Sequence, residues 1–502
     1  MALQSGGGGS KDEYANRPAA AAATMTIRTT TSVRAGFLAF PSGAPDGGAV
    51  PTLPRMPTFI VFSDSSAQGI RIPFAAPVSE RANASPLAGW GLIRASRDTW
   101  AIFIIITLNS IGWSATMPFL AVYLSSVRGV SLGTIGVVYL VAGVLALGSQ
   151  LIGGRLTDTI GPKRVMLFGY AFSVISALLL SYLVGTGADT GLILFTYPVF
   201  NFLRGLSQPA AYAIVANSEI RNLKTGLSLL SIAGNLGFAI GPALGGVLAQ
   251  NVDYSSVFLL SAAVPAITSA MTAFYFKGGL LAATGDVRAG RSTLLRWDGD
   301  RNLILFLLLV VCGYVAIGYE IVPISVYVQS FLNFSPEEIG YLFATNGLVI
   351  VLLQLPLSSL FFKAKRLLYP LVGSCAFAAI SFVLAGLSST FLEFEGVMVV
   401  LTLGEIFMTV PSQTVLTLFS GVRNRGIYQG YSSAASLGGR SFSPLVGLFS
   451  FQFFSAAPQL GWYVIAAFTA LLGCGFYLLI EPVQRDYAAL EATDPVMSRT
   501  QQ

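Results

Sequence analysis

Runs of about twenty consecutive apolar residues, the length that crosses roughly 30 Å of hydrocarbon as a helix, recur along this chain and limit what it can fold into. They fall near 99–124, 133–153, 165–184, 191–216, 226–249, 255–276, 302–329, 339–362, 367–388, 396–420, 427–454 and 460–480. A segment surrounded by lipid has no water to bond its peptide groups, so each run must satisfy them internally as a helix. Charged residues make up only 10% of the chain and hydrophobic ones 54%, whereas a soluble domain carries roughly 25% charged. These features predict an all-α membrane protein with twelve transmembrane helices and the lipid bilayer as its solvent.

The loops predict the orientation, because cytoplasmic loops retain Lys and Arg. One alternating set of loops holds fifteen basic residues, among them Arg155, Lys163, Arg164, Arg221, Lys224, Lys363, Arg423 and Arg425; the other holds only Arg128. The bias places both termini in the cytoplasm. Residues 1–98 are rich in Ala, Gly, Pro, Ser and Thr, with nine basic and six acidic residues and no long apolar run, a composition expected to stay disordered. SGGGGS at Ser5–Ser10 reads either as a native flexible segment or as a fusion scar. The Arg and Ser of the tail also suit a transit peptide, although its acidic residues argue against one.

The two halves of the span region are alike. Residues 131–158 align with 335–362 at a constant offset of 204, pairing Ser131 with Ser335, Ile135 with Ile339, Gly136 with Gly340, Gly143 with Gly347 and Gln150 with Gln354. This predicts a six-helix half at 99–276, a connector at 277–301, a second six-helix half at 302–480 and a C-terminal tail at 481–502. After the second span the chain reads GRLTDTIGPKR, with Gly154, Asp158, Gly161, Lys163 and Arg164; the fifth span carries GFAIGPALGG, with Gly237, Gly241, Pro242, Gly245 and Gly246. Small residues four apart share a helix face and permit close packing, and proline bends the span.

Taken together, these motifs resemble those of the major facilitator superfamily, and GEIFMTVP around Glu405 with RNRGIYQG at 423–430 resembles its multidrug (drug:proton antiporter) branch. The resemblance covers residues 99 to about 480 and implies the major facilitator fold, two six-helix pseudo-repeats working by alternating access around a midplane site. It implies that Asp158 helps to hold a cytoplasmic gate by facing the positive N-terminus of the eleventh helix. Thr159 stands where the family usually has a basic residue, and a purely topogenic loop is the competing reading. The fifth-span motif resembles the antiporter signature; generic helix packing competes with that reading.

Arg204, Glu320, Glu405 and Arg440 are ionisable residues deep inside spans. Each would cost roughly 2.5–3.5 kcal/mol or more against lipid, so they are expected to face one another or a wet cavity. The resemblance places Arg204, Glu320 and Glu405 on cavity-lining helices. At about 1.5 Å per residue, Glu405 and Arg440 both lie near mid-membrane, and a structural ion pair stands beside a transport role for them. Glu320 has no evident partner, which makes it the stronger candidate for the coupling proton, with Glu405 second. Asn109, Trp113, Arg204, Gln208, Asn346, Gln354 and Gln413 are the candidate lining of the substrate cavity, although amides also join helices structurally.

The chain has no histidine, and Cys312, Cys375 and Cys474 lack ligand spacing, so neither a metal site nor a cofactor is expected, and no enzyme either. The net charge of +6 resides in loops and does not imply nucleic acid. The expected function is secondary active transport at the cell membrane by a monomer: proton-coupled export of small amphipathic compounds. A proton-coupled metabolite symporter, with Arg204 on an anionic group, and a transport-inactive sensor or scaffold are the alternatives. Because the tail lacks an apolar face able to join a core, deleting residues 1–90 should leave a monodisperse membrane protein on size exclusion. Failure to insert would contradict this reading.

Overall fold

A computed structural model describes residues 95–219, 223–276, 301–363, 368–419 and 425–493; the N-terminal tail and most of the connector lie outside the described residues. All twelve predicted spans are helical. They are α1 (Arg97–Val122, extended by a π-turn at Tyr123–Val127), α2 (Leu132–Ile160), α3 (Pro162–Gly185), α4 (Thr190–Gly205, then Gln208–Ser218), α5 (Leu223–Asn251) and α6 (Tyr254–Tyr275). The second half contributes α7 (Arg301–Ile317, a 3-10 turn at Gly318–Glu320, then Val322–Leu332), α8 (Pro336–Lys363), α9 (Tyr369–Leu387), α10 (Phe391–Phe419), α11 (Arg425–Phe453) and α12 (Gln459–Thr493). Nine stretches among the described residues are long and apolar enough to cross a membrane: α1, α2, α3, α5, α6, α7, α8, α9 and α12. Of the other three, α4 is divided at Leu206–Ser207, while α10 and α11 are continuous helices of 29 residues each.

Local sequence sets the helix ends. Ser131, Asp189 and Asp253 accept hydrogen bonds from the first-turn amides of Thr134, Leu192 and Ser256, which relieves donors that have no partner in the helix. At Asp253 the bond from the Ser256 amide, joined by the Ser255 hydroxyl, holds the carboxyl below its ordinary value. The GRLTDTIGPKR stretch, expected as a loop, is mostly the last turns of α2. Only Gly161, at φ 87°, breaks the path, and Pro162 then begins α3. That positive φ is open to glycine and strained for most other residues. At the other end of the chain, the helix passes residue 480 and reaches Thr493, so the first part of the expected C-terminal tail continues α12.

Glycines set the helix pairing. A Cβ on Gly241 would lie 2.5 Å from the Ile111 carbonyl oxygen and 3.0 Å from the Ala115 nitrogen, and one on Gly245 would lie 2.5 Å from the Ala115 oxygen. The Gly237, Gly241 and Gly245 stripe therefore seats α5 on α1. On α8, Gly340 meets Pro242 and Ala243 while Gly347 meets Ala239, and on α2 Gly136 meets Leu445 while Gly143 meets Ser441. The glycines paired by the sequence repeat thus make equivalent contacts, α8 on α5 and α2 on α11, and these join the two halves. One expectation changes: Gly154 faces open space, and its neighbour Gly153 packs against the backbone of Leu206.

The buried core is asymmetric along the helix axes. Toward the acidic-loop end one cluster spans both halves, joining Phe119, Tyr139, Tyr197 and Phe258 to Tyr319, Val326, Phe343, Phe394 and Trp462. Toward the basic-loop end the core divides into one cluster built around Ile102, Met166 and Ile214 and another around Phe306, Met408 and Phe476. The molecule is packed shut at the acidic end and divided between its halves at the basic end. Large apolar side chains such as Leu151, Phe195, Phe274, Leu355 and Leu471 are exposed around the bundle, as a lipid-facing belt requires.

Gly241→Leu should destabilise the fold by about 1–3 kcal/mol, the usual cost of overpacking, and lower the detergent melting midpoint. Gly234→Ala, where an added Cβ meets nothing within 4 Å, should leave it unchanged or raised, since alanine favours helix by up to about 1 kcal/mol. Equal effects at both positions would contradict the role of the stripe.

Candidate functional site

The backbone is interrupted where the chemistry lies. The first segment of α4 ends one residue after Arg204, and α7 passes through the turn whose last residue is Glu320. In a bilayer, irregular backbone is tolerated where it is buried in protein or lines a wet cavity. Pro209 and Pro323, each at the start of the following segment, fit that geometry because the first turn needs no amide donor.

Arg440 on α11 draws two carboxylates together. Its Nη1 donates to Glu320 Oε1 at 2.7 Å and its Nη2 to Glu405 Oε1 at 2.6 Å. Gly318 permits the approach, since a Cβ there would sit 3.2 Å from Arg440 Cα and 2.6 Å from Ser443 Cβ. Glu405 Oε2 accepts from the Asn346 amide at 3.4 Å, and that amide also donates to Thr402 at 2.9 Å. The Tyr314 ring lies 5.7 Å from the guanidinium carbon. Glu320 is 2% exposed, whereas Glu405 and Arg440 retain 13% and 28%, so the cluster touches solvent from its Glu405 and Arg440 side.

This geometry corrects one expectation and extends another. Glu320, read as lacking a partner, is paired, because the turn at Gly318–Glu320 brings it to the same guanidinium as Glu405. The Glu405–Arg440 pair is present but is shared with Glu320. With all three ionised, two negative charges meet one positive charge, and the net charge of minus one is what a single proton neutralises. An isolated buried ion costs several kcal/mol; here the cost falls on that uncompensated charge.

The other half presents Arg204, whose guanidinium carbon stacks 4.2 Å from the centre of the Trp113 ring. Among the described residues no carboxylate pairs with it. A cation over an indole contributes about 0.5–2 kcal/mol. The Trp113 Nε1 is buried without a partner, and the ring neighbours Phe238, which meets Phe343 across the interface between halves. At about 1.5 Å per residue, Trp113, Arg204, Glu320 and Glu405 all lie roughly 18–21 Å from the acidic ends of their helices.

The remaining candidates divide. Asn109 bonds Ile105 O and Thr268 Oγ1, each at 2.9 Å, which ties α1 to α6. Gln354 accepts from Asn235 at 3.2 Å and so links the halves. Gln208 and Gln413 are exposed. In the expected gate, Asp158 and Arg164 are exposed and have no ion pair among the described residues, and the side chains at the start of α11 lie outside the described residues. Lys163 instead donates to the Ala273 and Phe276 carbonyls at 3.2 and 2.5 Å, capping the end of α6.

Ser443 and Glu219 were not anticipated. Ser443, three residues after Arg440, is buried beside Gly318. Glu219, just past α4, accepts from the Ser96 amide at 2.5 Å and the Thr99 hydroxyl at 3.0 Å. Burial alone would raise its carboxyl, yet these bonds hold it below its ordinary value. Its carboxylate thereby fastens the start of α1 to the end of α4. An acid following ANS offered no periodic signal for that role.

Comparison with known proteins agrees with this architecture. A sequence profile of the Major Facilitator Superfamily matches residues 48–219 and 102–444, and the chain belongs to that superfamily. It is 29% identical over 348 residues to the MFS-type transporter YttB of Bacillus subtilis (strain 168), covering 68% of this chain and 85% of that one. Multidrug resistance protein 2 of the same organism is 23% identical over 413 residues, covering 78% of this chain and 97% of that one. The crystal structure of the nucleoside transporter NupG superposes with a TM-score of 0.64 at 13% identity, covering 76% of this chain and 99% of that one. The protein is thus a multi-pass membrane transporter of that superfamily and takes a small-molecule substrate; it is not an enzyme.

Arg440→Leu should be the most destabilising change in the cluster, at about 3–5 kcal/mol, because it strands the buried carboxylate of Glu320 and the partly buried one of Glu405. Glu320→Gln and Glu405→Gln should each cost clearly less, since the guanidinium keeps one partner. Melting midpoints in detergent test the order. A Glu405→Gln loss equal to that of Arg440→Leu would mean that the arginine is not shared.

Proposed function

We propose that this protein exports small amphipathic compounds in exchange for protons, with the Glu320–Glu405 pair carrying the coupling proton. The observation that carries the reading is the convergence of two carboxylates on one guanidinium at mid-depth. That arrangement leaves one negative charge in a partly dehydrated site. A proton taken up by the pair makes the cluster neutral and lowers the cost of closing it away from water. Arrival of a substrate, a cationic one above all, competes for the same charge and expels the proton. The aromatic surfaces of Trp113, Phe238 and Phe343 suit the apolar part of such a compound, and the likeness to a multidrug resistance protein and the GFAIGPALGG stripe support exchange.

In this reading residues 99–276 and 302–480 rock against each other around the site, with 277–301 as the connector between them. The basic loops and both termini face the cytoplasm, and the protein works as a monomer in the cell membrane. The end at which the core divides between the halves is then the cytoplasmic one. Asp158 contributes to closing that end in the opposite state. A second reading, symport of a metabolite with an anionic group, is favoured by Arg204, whose charge meets only rings and no acid among the described residues.

Proteoliposomes with an imposed pH gradient, scanned with dyes, drugs and metabolites, test both readings. Exchange predicts accumulation opposite to the proton flow; symport predicts accumulation along it. Glu320→Gln and Glu405→Gln should each abolish gradient-driven accumulation while retaining substrate binding, because the remaining acid and Arg440 already form a neutral pair. Undiminished accumulation in either variant would overturn the assignment of the pair.

A further inference from the structure

In the first half two hydrogen-bond donors stand together without an acceptor. The Arg204 guanidinium carbon lies over the Trp113 ring, 4.2 Å from its centre, and Nε1 of that same ring system is buried with no partner. The ionisable groups nearest Arg204 are the phenols of Tyr170 and Tyr197, which are neutral at ordinary pH, so no side-chain acid answers its charge. Arginine keeps its proton and offers a planar fork matched to a carboxylate, and an indole N–H can only donate. A charged fork beside a neutral N–H, both short of an acceptor, fits a group with two oxygens and one negative charge.

This place and the acid pair lie on the two sides of one seam. Trp113 meets Phe238 at 6.4 Å and Phe238 meets Phe343 at 6.4 Å; one turn further along α8, Asn346 holds Glu405. Helix α1 packs against the second segment of α7, which begins just past Glu320, whereas toward the basic end the cores of the halves are separate. Arg204 and the acid pair therefore stand at equal depth where the division between the halves begins, and Arg204, Glu405 and Arg440 each keep part of their surface exposed. We propose that the substrate is a zwitterion with an apolar, ring-bearing body, its cationic group held by the Glu320–Glu405 pair and its carboxylate by Arg204 and the Trp113 N–H. The proposal rests on the export reading for the cationic end and adds the anionic one. Charge selects the class: the ionised cluster carries minus one and Arg204 plus one, so a zwitterion answers both at once. A simple cation leaves Arg204 unanswered, and a simple anion leaves the acid pair so.

Tetramethylrhodamine is a zwitterion and its methyl ester a cation on the same rings, so the two dyes differ at the carboxylate alone. Binding of each to the full-length protein in lipid nanodiscs is followed by fluorescence anisotropy. The ratio of ester Kd to acid Kd is then compared between wild type and variants, a comparison in which partitioning of the dyes into lipid cancels. The ratio should fall at least tenfold in Arg204→Gln, because charge-assisted bonds to a carboxylate are the strong ones. It should fall severalfold in Trp113→Phe, which keeps a ring and loses the N–H. Glu405→Gln should act on both dyes alike and leave the ratio as in wild type. A ratio unchanged in Arg204→Gln would overturn the proposal, and so would a ratio that falls as far in Glu405→Gln as in Arg204→Gln. Trp113→Phe decides alone if Arg204→Gln does not fold. Proton release on dye binding is read on the same samples: its absence would sink proton exchange, whereas the ratio sinks or sustains the carboxylate site.

Discussion

The placement of one guanidinium inside a bilayer constrains much of the second half of this protein. Arg440 cannot face lipid without a cost of several kcal/mol, so α11 must turn it inward and neighbouring helices must bring it acids. Meeting that demand takes a break in α7, a glycine at Gly318 so that the backbones can approach, and an amide from α8 to hold the second carboxylate. These features cost helix continuity and bury charge. Such costs are retained where a site works, since buried ionic clusters often stabilise a fold no better than apolar packing would.

The first half is organised around a different constraint. Its stripe of small residues lets α5 lie against α1 at backbone distance, and the same helix turns Gly246 toward α8. The halves therefore meet along two glycine-lined seams related by the internal repeat, α5 with α8 and α2 with α11. Close seams suit two bodies that rock, whereas at the acidic end one buried cluster spans both halves, its second-half part packed on Trp462 with Tyr319, Tyr327 and Phe451. Opening that end would expose the cluster to water, so its burial favours the arrangement described here.

Much of this was legible in the sequence because membrane physics leaves few choices. Apolar run length gave the helices, and the offset of 204 gave the repeat, whose glycines make equivalent contacts in the two halves. The four intramembrane charges were recognisable from their cost alone. Pairing was not. Glu320 looked solitary because a regular α-helix was assumed through residue 318, and the local turn that redirects it follows from tertiary contact with α11. Gly153 and Gly154 are indistinguishable in sequence, and only the neighbouring α4 shows which one is covered. The boundary between α2 and α3 was misread as a loop because polar residues near a bilayer surface end the apolar pattern before they end the helix.

The central claim is that Glu320 and Glu405 share one proton across Arg440, and the infrared carbonyl stretch of protonated carboxyl groups tests it most directly. The wild-type protein, titrated in detergent, should show a protonated-carboxyl band that accounts for one proton. That band should vanish in Glu320→Gln and in Glu405→Gln alike, because each variant leaves one acid fully compensated by the arginine. Two bands that titrate separately, each lost only with its own residue, would contradict a shared proton and leave two independent carboxyl groups.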